Sequence, residues 1–319
     1  MSRPSPIVSP ETLAERLGEP DLRVVDVRWV LGAPGQGRQA YDAGHIPGAI
    51  FLDLDTDLVA PEGAGRHPLP SPAELRARLE ATGIETGHEV VAYDDVGGWV
   101  AARLWWMLDD LGHERVAVLD GGFPAWVAGG HPVTREVPTF PPARLVLADR
   151  WTKTIDRAGV AAELGRLVLL DARGGPRYRG ETEPIDLVPG HIPTARHAPT
   201  DGNLGPDGRL LSAGALKDRF RALGVDGSDG PVVTSCGSGV SACFNSLAMR
   251  IAGLADPILY PGSYSDWSRS GMPIAVGPEP GDPPNGVAGT THVAVPSPVA
   301  DPALPVSSRA PGKARASDR

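Results

Sequence analysis

The sequence predicts an α/β fold made of two copies of one domain, each a mostly parallel central sheet with helices on both faces. Three observations predict it. Four segments recur in the same order in the two halves of the chain. The strand-like runs are short and continuously apolar, as in sheets covered on both faces. Helical patterns alternate with these runs along each half.

In the first copy, Leu22-Arg-Val-Val-Asp-Val-Arg28 leads to Tyr41-Asp-Ala-Gly-His-Ile-Pro-Gly-Ala49. Ser71-Pro72-Ala73-Glu74 opens a helix: Ser71 caps it, Pro72 suits its first position and Glu74 reaches back to close a capping box. Glu89–Asp94 and Val116–Gly122, with Trp126, complete the copy. A proline-rich stretch, 132–142, reads as an extended linker. The second copy repeats the plan with Leu167-Val-Leu-Leu-Asp-Ala-Arg173 and Val188-Pro-Gly-His-Ile-Pro-Thr-Ala195. Asp26 precedes His45 by 19 residues, and Asp171 precedes His191 by 20. Ser212 caps a helix at 213–223, and Gly230–Cys236 forms a strand. The helix starting near Ala242 carries Cys243, Leu247 and Ile251 on one stripe, and Pro257–Gly262 with Trp267 ends the copy. The expected domains are 1–131 and 143–280. Residues 281–319 hold one leucine and no aromatic residue, too little apolar surface to offset ordering, so a disordered tail is expected.

Composition narrows the function. The 319 residues carry a net charge of −9, with 22% charged and 41% hydrophobic residues. The acidic balance and the lack of basic blocks speak against nucleic acid as the partner. No 18-residue apolar run suggests a membrane span, and no apolar leader follows the proline-rich start. Two cysteines cannot build a disulfide scaffold or a four-thiolate metal site. A reactive thiol without an export signal places the expected compartment in the cytoplasm. A monomer is the default expectation.

The strongest local signal is Val232-Val-Thr-Ser-Cys236-Gly-Ser238-Gly-Val-Ser241-Ala-Cys243. A strand ends at Cys236, two glycines follow within three residues, and a helix begins. Such a turn aims several backbone N–H groups inward, beside the positive end of a helix, and both features favour an anionic sulfur. Cys243 sits on the apolar helix stripe and reads as core.

At these residues the chain resembles the tandem-domain rhodaneses, a family of sulfurtransferases. The resemblance rests on the duplicated Asp-x-Arg and Gly-His-Ile-Pro patterns (Asp26/Arg28/Gly44–Pro47 and Asp171/Arg173/Gly190–Pro193), on the Cys236–Ser241 loop, and on Asp120-Gly-Gly122 with Trp126 and Gly262 with Trp267. It spans about residues 8–275 and implies two tandem rhodanese-like domains. A six-residue loop led by the nucleophile is typical of sulfur-transferring members; phosphatase relatives have a longer loop. Cys-Gly-Ser-Gly-Val-Ser looks like the 3-mercaptopyruvate branch, whereas the thiosulfate branch usually carries Arg and Lys where this chain has Gly237 and Ser238.

The resemblance implies two-step covalent catalysis. Cys236 takes a sulfane-type sulfur from a small anionic donor, holds it as a persulfide, and passes it to cyanide, a thiol or a thioredoxin-like acceptor. No metal or organic cofactor is implied. Loop N–H groups of Gly237, Gly239, Val240 and Ser241 would steady the negative sulfur. The first copy has Asp94 at the nucleophile position and is expected to be inert. By resemblance, Asp53 and His67 join Ser238 in a proton relay beside the thiolate, with Asp55 as rival carboxylate. Arg177 falls on the family's substrate-binding arginine. The branch normally has a second arginine after Glu-Pro; here Ile185 follows Glu183-Pro184, so either Arg179 replaces it or donor preference differs. Arg28, Arg173, His45 and His191 recur in both copies, including the one without a thiol, and read as structural. The alternatives to a 3-mercaptopyruvate enzyme are a thiosulfate sulfurtransferase and a sulfur-carrier module serving a protein partner.

Overall fold

The computed structural model describes residues 4–227 and 230–284. The expected tail at 281–319 lies outside the described residues from 285 onward. The first domain holds strands β1 (Ile7–Val8), β2 (Leu22–Asp26), β3 (Ile50–Phe51), β4 (Glu89–Tyr93) and β5 (Val116–Leu119). They form an all-parallel sheet in the order β1-β5-β4-β2-β3. The second domain holds β6 (Val168–Asp171), β7 (Arg196–His197), β8 (Val232–Ser235) and β9 (Ile258–Leu259), also parallel, in the order β7-β6-β8-β9. Thr154 makes a single parallel bridge to Leu259, in the place β1 takes in the first sheet. The internal repeat is thus a repeat of topology.

Local chemistry sets the elements where the sequence expects them. Ser71 and Glu74 form a complete capping box on the helix Pro72–Ala81. Ser212 Oγ accepts the N–H of Ala215 at the start of Ala213–Ala222. The duplicated Asp-x-Arg pairs brace each domain identically. Arg28 binds Asp26 and donates to the carbonyl of Gly44 at 2.8 Å; Arg173 binds Asp171 and donates to that of Gly190 at 2.7 Å. Tyr41 stacks on His45 at 3.8 Å and Tyr178 on His191 at 3.9 Å. The ring nitrogens of both histidines contact backbone carbonyls, and Trp126 and Trp267 each donate to a proline carbonyl six residues on.

The connection between the domains is docked rather than free. Thr134 pairs with His45, and Phe140 packs at Gly83. Residues 143–148, placed in the second domain by sequence, lie on the first: Ala143 and Ala148 donate to Glu80 and Leu111, and Leu145 enters its core. The helix Ala101–Asp110 packs against Ala242–Ile251, so Val100, Leu104 and Trp105 of one domain share a core with Val240, Phe244 and Leu247 of the other. This seam carries the end of β8, and with it Cys236, against the first domain.

Candidate active site

Cys236 follows the last residue of β8, at the carboxyl end of a central parallel strand, where open α/β sheets place ligands. Its Sγ accepts N–H groups from Gly239 at 3.1 Å and Ser238 at 3.4 Å. The loop is anchored from beneath: Ser263 Oγ accepts the Cys236 N–H, and the carbonyls of Cys236 and Gly237 accept the N–H groups of Tyr264 and Ser265. Gly239 has φ +77°, and a Cβ there would strike the Pro261 carbonyl, so the turn admits only glycine.

The first domain shows the same cradle closed on itself. Asp94 takes the place of the cysteine, and its carboxylate accepts N–H groups from Val96, Gly98, Val100 and Ala101 at 2.8–3.0 Å. Burial pushes the Asp94 carboxyl up, and the four donors oppose that shift. The second domain leaves its cradle to a sulfur.

Cys236 lines a cavity of about 270 Å³ together with Gly237, Ser238, Val240 and Ser241. The first domain supplies much of the opposite wall: Trp29, Leu31, Arg66, His67 and Trp99. His67 Nδ1 lies 2.7 Å from Ser238 Oγ, across 171 residues of sequence. Burial, helped by Arg103, lowers the His67 pKa to about 4, so the ring is neutral at neutral pH. Its Nε2 is 3.5 Å from Asp55 Oδ1, while Asp55 Oδ2 accepts the indole N–H of Trp29 at 2.8 Å. Asp55 thus favours the proton on Nε2, leaving Nδ1 to accept from the Ser238 hydroxyl.

Two expectations are corrected here. Asp53 is not the carboxylate facing His67. It is the N-cap of Leu54–Asp57 and accepts the Asp55 N–H at 2.8 Å, so its carboxylate is turned to its own backbone. Arg179 does not replace the missing second arginine. It is half-exposed, bound to Glu181 through Nε and Nη2, and outside the cavity lining. Arg177 does line the cavity, held by Glu183 and Asp186. Arg173 and Arg66 line the cavity as well; Arg66, from the other domain, shares Asp186 with Arg177. Arg66 Nη2 lies 2.8 Å, and Arg177 Nη1 3.5 Å, from where a Cβ on Gly237 would stand. Both cations therefore converge on the catalytic loop, and Gly237 is small because Arg66 covers it. Arg66 precedes His67 in the sequence, yet nothing local signals that the two sit over a loop 170 residues away.

Cys243 is fully buried, and burial pushes its thiol up to about 12, consistent with its place in the core. A larger cleft of about 630 Å³ lies behind the segment 62–68, lined by Leu69, Ala161, Tyr260 and Met272. Its arginine, Arg157, is committed to Asp266.

Comparison with known proteins places this geometry. Residues 9–129 and 156–270 each match the rhodanese-like domain family. A protein of Pseudomonas aeruginosa named probable 3-mercaptopyruvate sulfurtransferase is 46% identical over 278 residues, covering 85% of this chain and 98% of that one. The thiosulfate sulfurtransferase of Rattus norvegicus is 36% identical over 280 residues, covering 84% and 93%. The solved structure of 3-mercaptopyruvate sulfurtransferase from Leishmania major superposes with a TM-score of 0.72 at 31% identity, covering 82% of this chain and 74% of that one. With both of its domains matched and relatives aligned over most of its length, the chain belongs to the rhodanese family as a tandem, two-domain member.

Proposed function

We propose that this sulfurtransferase draws its sulfur from 3-mercaptopyruvate and carries it as a persulfide on Cys236. The Cys236 thiolate attacks the donor's sulfur, an S–S bond forms, and the donor's C–S bond breaks. The leaving group is the enolate of pyruvate, which needs a proton. The donor thiol supplies that proton: it passes to Ser238 and His67, is held between Ser238 and Asp55, and returns to the enolate carbon. A thiol, cyanide or a thioredoxin-like acceptor then attacks the outer sulfur and restores Cys236.

The observation that carries the choice of donor is the 2.7 Å contact between Ser238 and His67 beside the sulfur. Sulfite leaving from thiosulfate needs no proton on carbon, whereas an enolate does. Arg66 and Arg177 suit the donor's carboxylate as a pair of guanidinium forks. The same pair also fits thiosulfate, a compact dianion, which is the specific support for the alternative donor. Steady-state kcat/KM for both donors, with cyanide as acceptor, decides between them. The expected result is a preference for 3-mercaptopyruvate; a clear preference for thiosulfate overturns the proposal.

A further inference from the structure

The four arginines around the catalytic loop differ in one respect. Arg66 is paired with Asp186, Arg177 with Glu183 and Asp186, and Arg173 with Asp171 and Glu183. Arg103 has no carboxylate partner among the described residues. It sits on the helix Ala101–Asp110 of the first domain and is fully buried. Nη1 donates to the carbonyl of Gly239 at 3.0 Å, and Nη2 to that of His67 at 3.0 Å. Its Nε is buried without a hydrogen-bond partner among the described residues.

A buried charge without a counter-charge is costly, and this fully buried guanidinium meets two carbonyls and the sulfur of Cys243 but no carboxylate, so it asks for an anion. Burial draws the Arg103 pKa down, and the two neighbouring cysteines oppose this. Cys243 cannot supply the negative charge, since its thiol is pushed up to about 12. His67 is neutral, and the carboxylates of Asp186 and Glu183 are engaged by Arg66, Arg177 and Arg173. Asp55 lies beyond His67 and binds Trp29. The group that remains is the sulfur of Cys236, held by the N–H of the same Gly239 whose carbonyl binds Arg103.

We propose that Arg103 is the buried counter-charge of the Cys236 sulfur, so that the first domain, which lacks a thiol, promotes the reaction through an inter-domain cation. Arg103 is a positioning residue: it acts on Cys236 through the field of its charge and through the Gly239 turn whose N–H holds Sγ. It also ties the two halves of the site together, since the carbonyls it bridges belong to the loop and to the histidine opposite. The inference rests on Cys236 being the sulfur carrier.

The test uses the full chain with Arg103→Lys, Arg103→Gln and Arg103→Met. The rate of Cys236 alkylation by iodoacetamide is followed from pH 5 to 10, with mass spectrometry locating the adduct. The glutamine and methionine variants remove the charge, and either suffices should the other not fold. The expected result is an alkylation midpoint about one pH unit higher in the neutral variants, a roughly tenfold loss of reactive sulfur at lower pH, with lysine restoring most of it. A folded neutral variant with the wild-type midpoint overturns the inference and leaves Arg103 a packing clamp. Mass gain of one sulfur on Cys236 from 3-mercaptopyruvate is measured on the same samples. Its absence in the wild type sinks the proposed function, and this inference with it. Its presence beside an unmoved midpoint sinks the inference alone.

Discussion

At the scale of single residues, the site depends on which atom a side chain spends on its own backbone. Asp53 and Asp55 are two residues apart and chemically identical, but only Asp53 occupies an N-cap, and that leaves Asp55 as the carboxylate facing His67. Asp55→Asn is therefore expected to lower kcat with 3-mercaptopyruvate, while Asp53→Asn leaves kcat within about twofold; the reverse pattern restores Asp53 to the relay. Arg66→Met is expected to raise KM for 3-mercaptopyruvate ten- to a hundredfold, the worth of a charge-assisted fork, whereas Arg179→Met leaves it unchanged. His67 also makes stability depend on pH. Its folded pKa of about 4 lies below the ordinary value of 6.5, so the unfolded chain binds this proton first as pH falls. Stability is then lost between about pH 6.5 and 4 and is level in this respect at either side, by about 3 kcal/mol at most. Urea titrations of the wild type and His67→Gln at pH 7 and pH 4 measure this, and the variant should lose correspondingly less over the interval.

At the scale of elements, the two strand-to-helix turns after β4 and β8 are the same device with different contents. One closes on a carboxylate that accepts four backbone N–H groups; the other presents two N–H groups to a sulfur. Asp94→Ala leaves those donors buried and unpaired, and a loss of about 2–4 kcal/mol is expected in urea denaturation. An unaltered denaturation midpoint would show that water or a shifted backbone fills the gap. The turns were legible in sequence because glycine spacing after a strand is a local signature. The linker was not: 132–142 reads as an extended connector, and nothing in its prolines shows that Thr134 pairs with His45. Nor does the sequence reveal that Leu145, three residues past that stretch, belongs to the first domain's core.

At the scale of the whole molecule, the site is a product of the seam. Trp29, Arg66, His67 and Arg103 come from one domain; Cys236, Ser238 and Arg177 come from the other. The helices Ala101–Asp110 and Ala242–Ile251 join the two cores into a shared apolar cluster. Calorimetry is accordingly expected to show one cooperative unfolding transition, and Phe244→Ala to lower stability by about 3–5 kcal/mol. Two well-separated transitions would mean that the domains unfold independently.

The sequence by itself determined the duplication, the α/β class and the family, and it singled out Cys236 as the candidate nucleophile. Each of these is written in local order: apolar runs, turn glycines, and the recurrence of Asp-x-Arg and Gly-His-Ile-Pro. It also marked Arg28, Arg173, His45 and His191 as braces, because a residue repeated in a copy without a thiol cannot owe its place to that thiol. Tertiary structure alone decided which carboxylate faces His67, that Arg66 of the other domain stands beside Arg177, and that a buried arginine binds the loop of Cys236. Those are contacts across 100 residues or more, or choices made by a capping position. Their partners are selected by how two domains pack, which no spacing along one chain encodes.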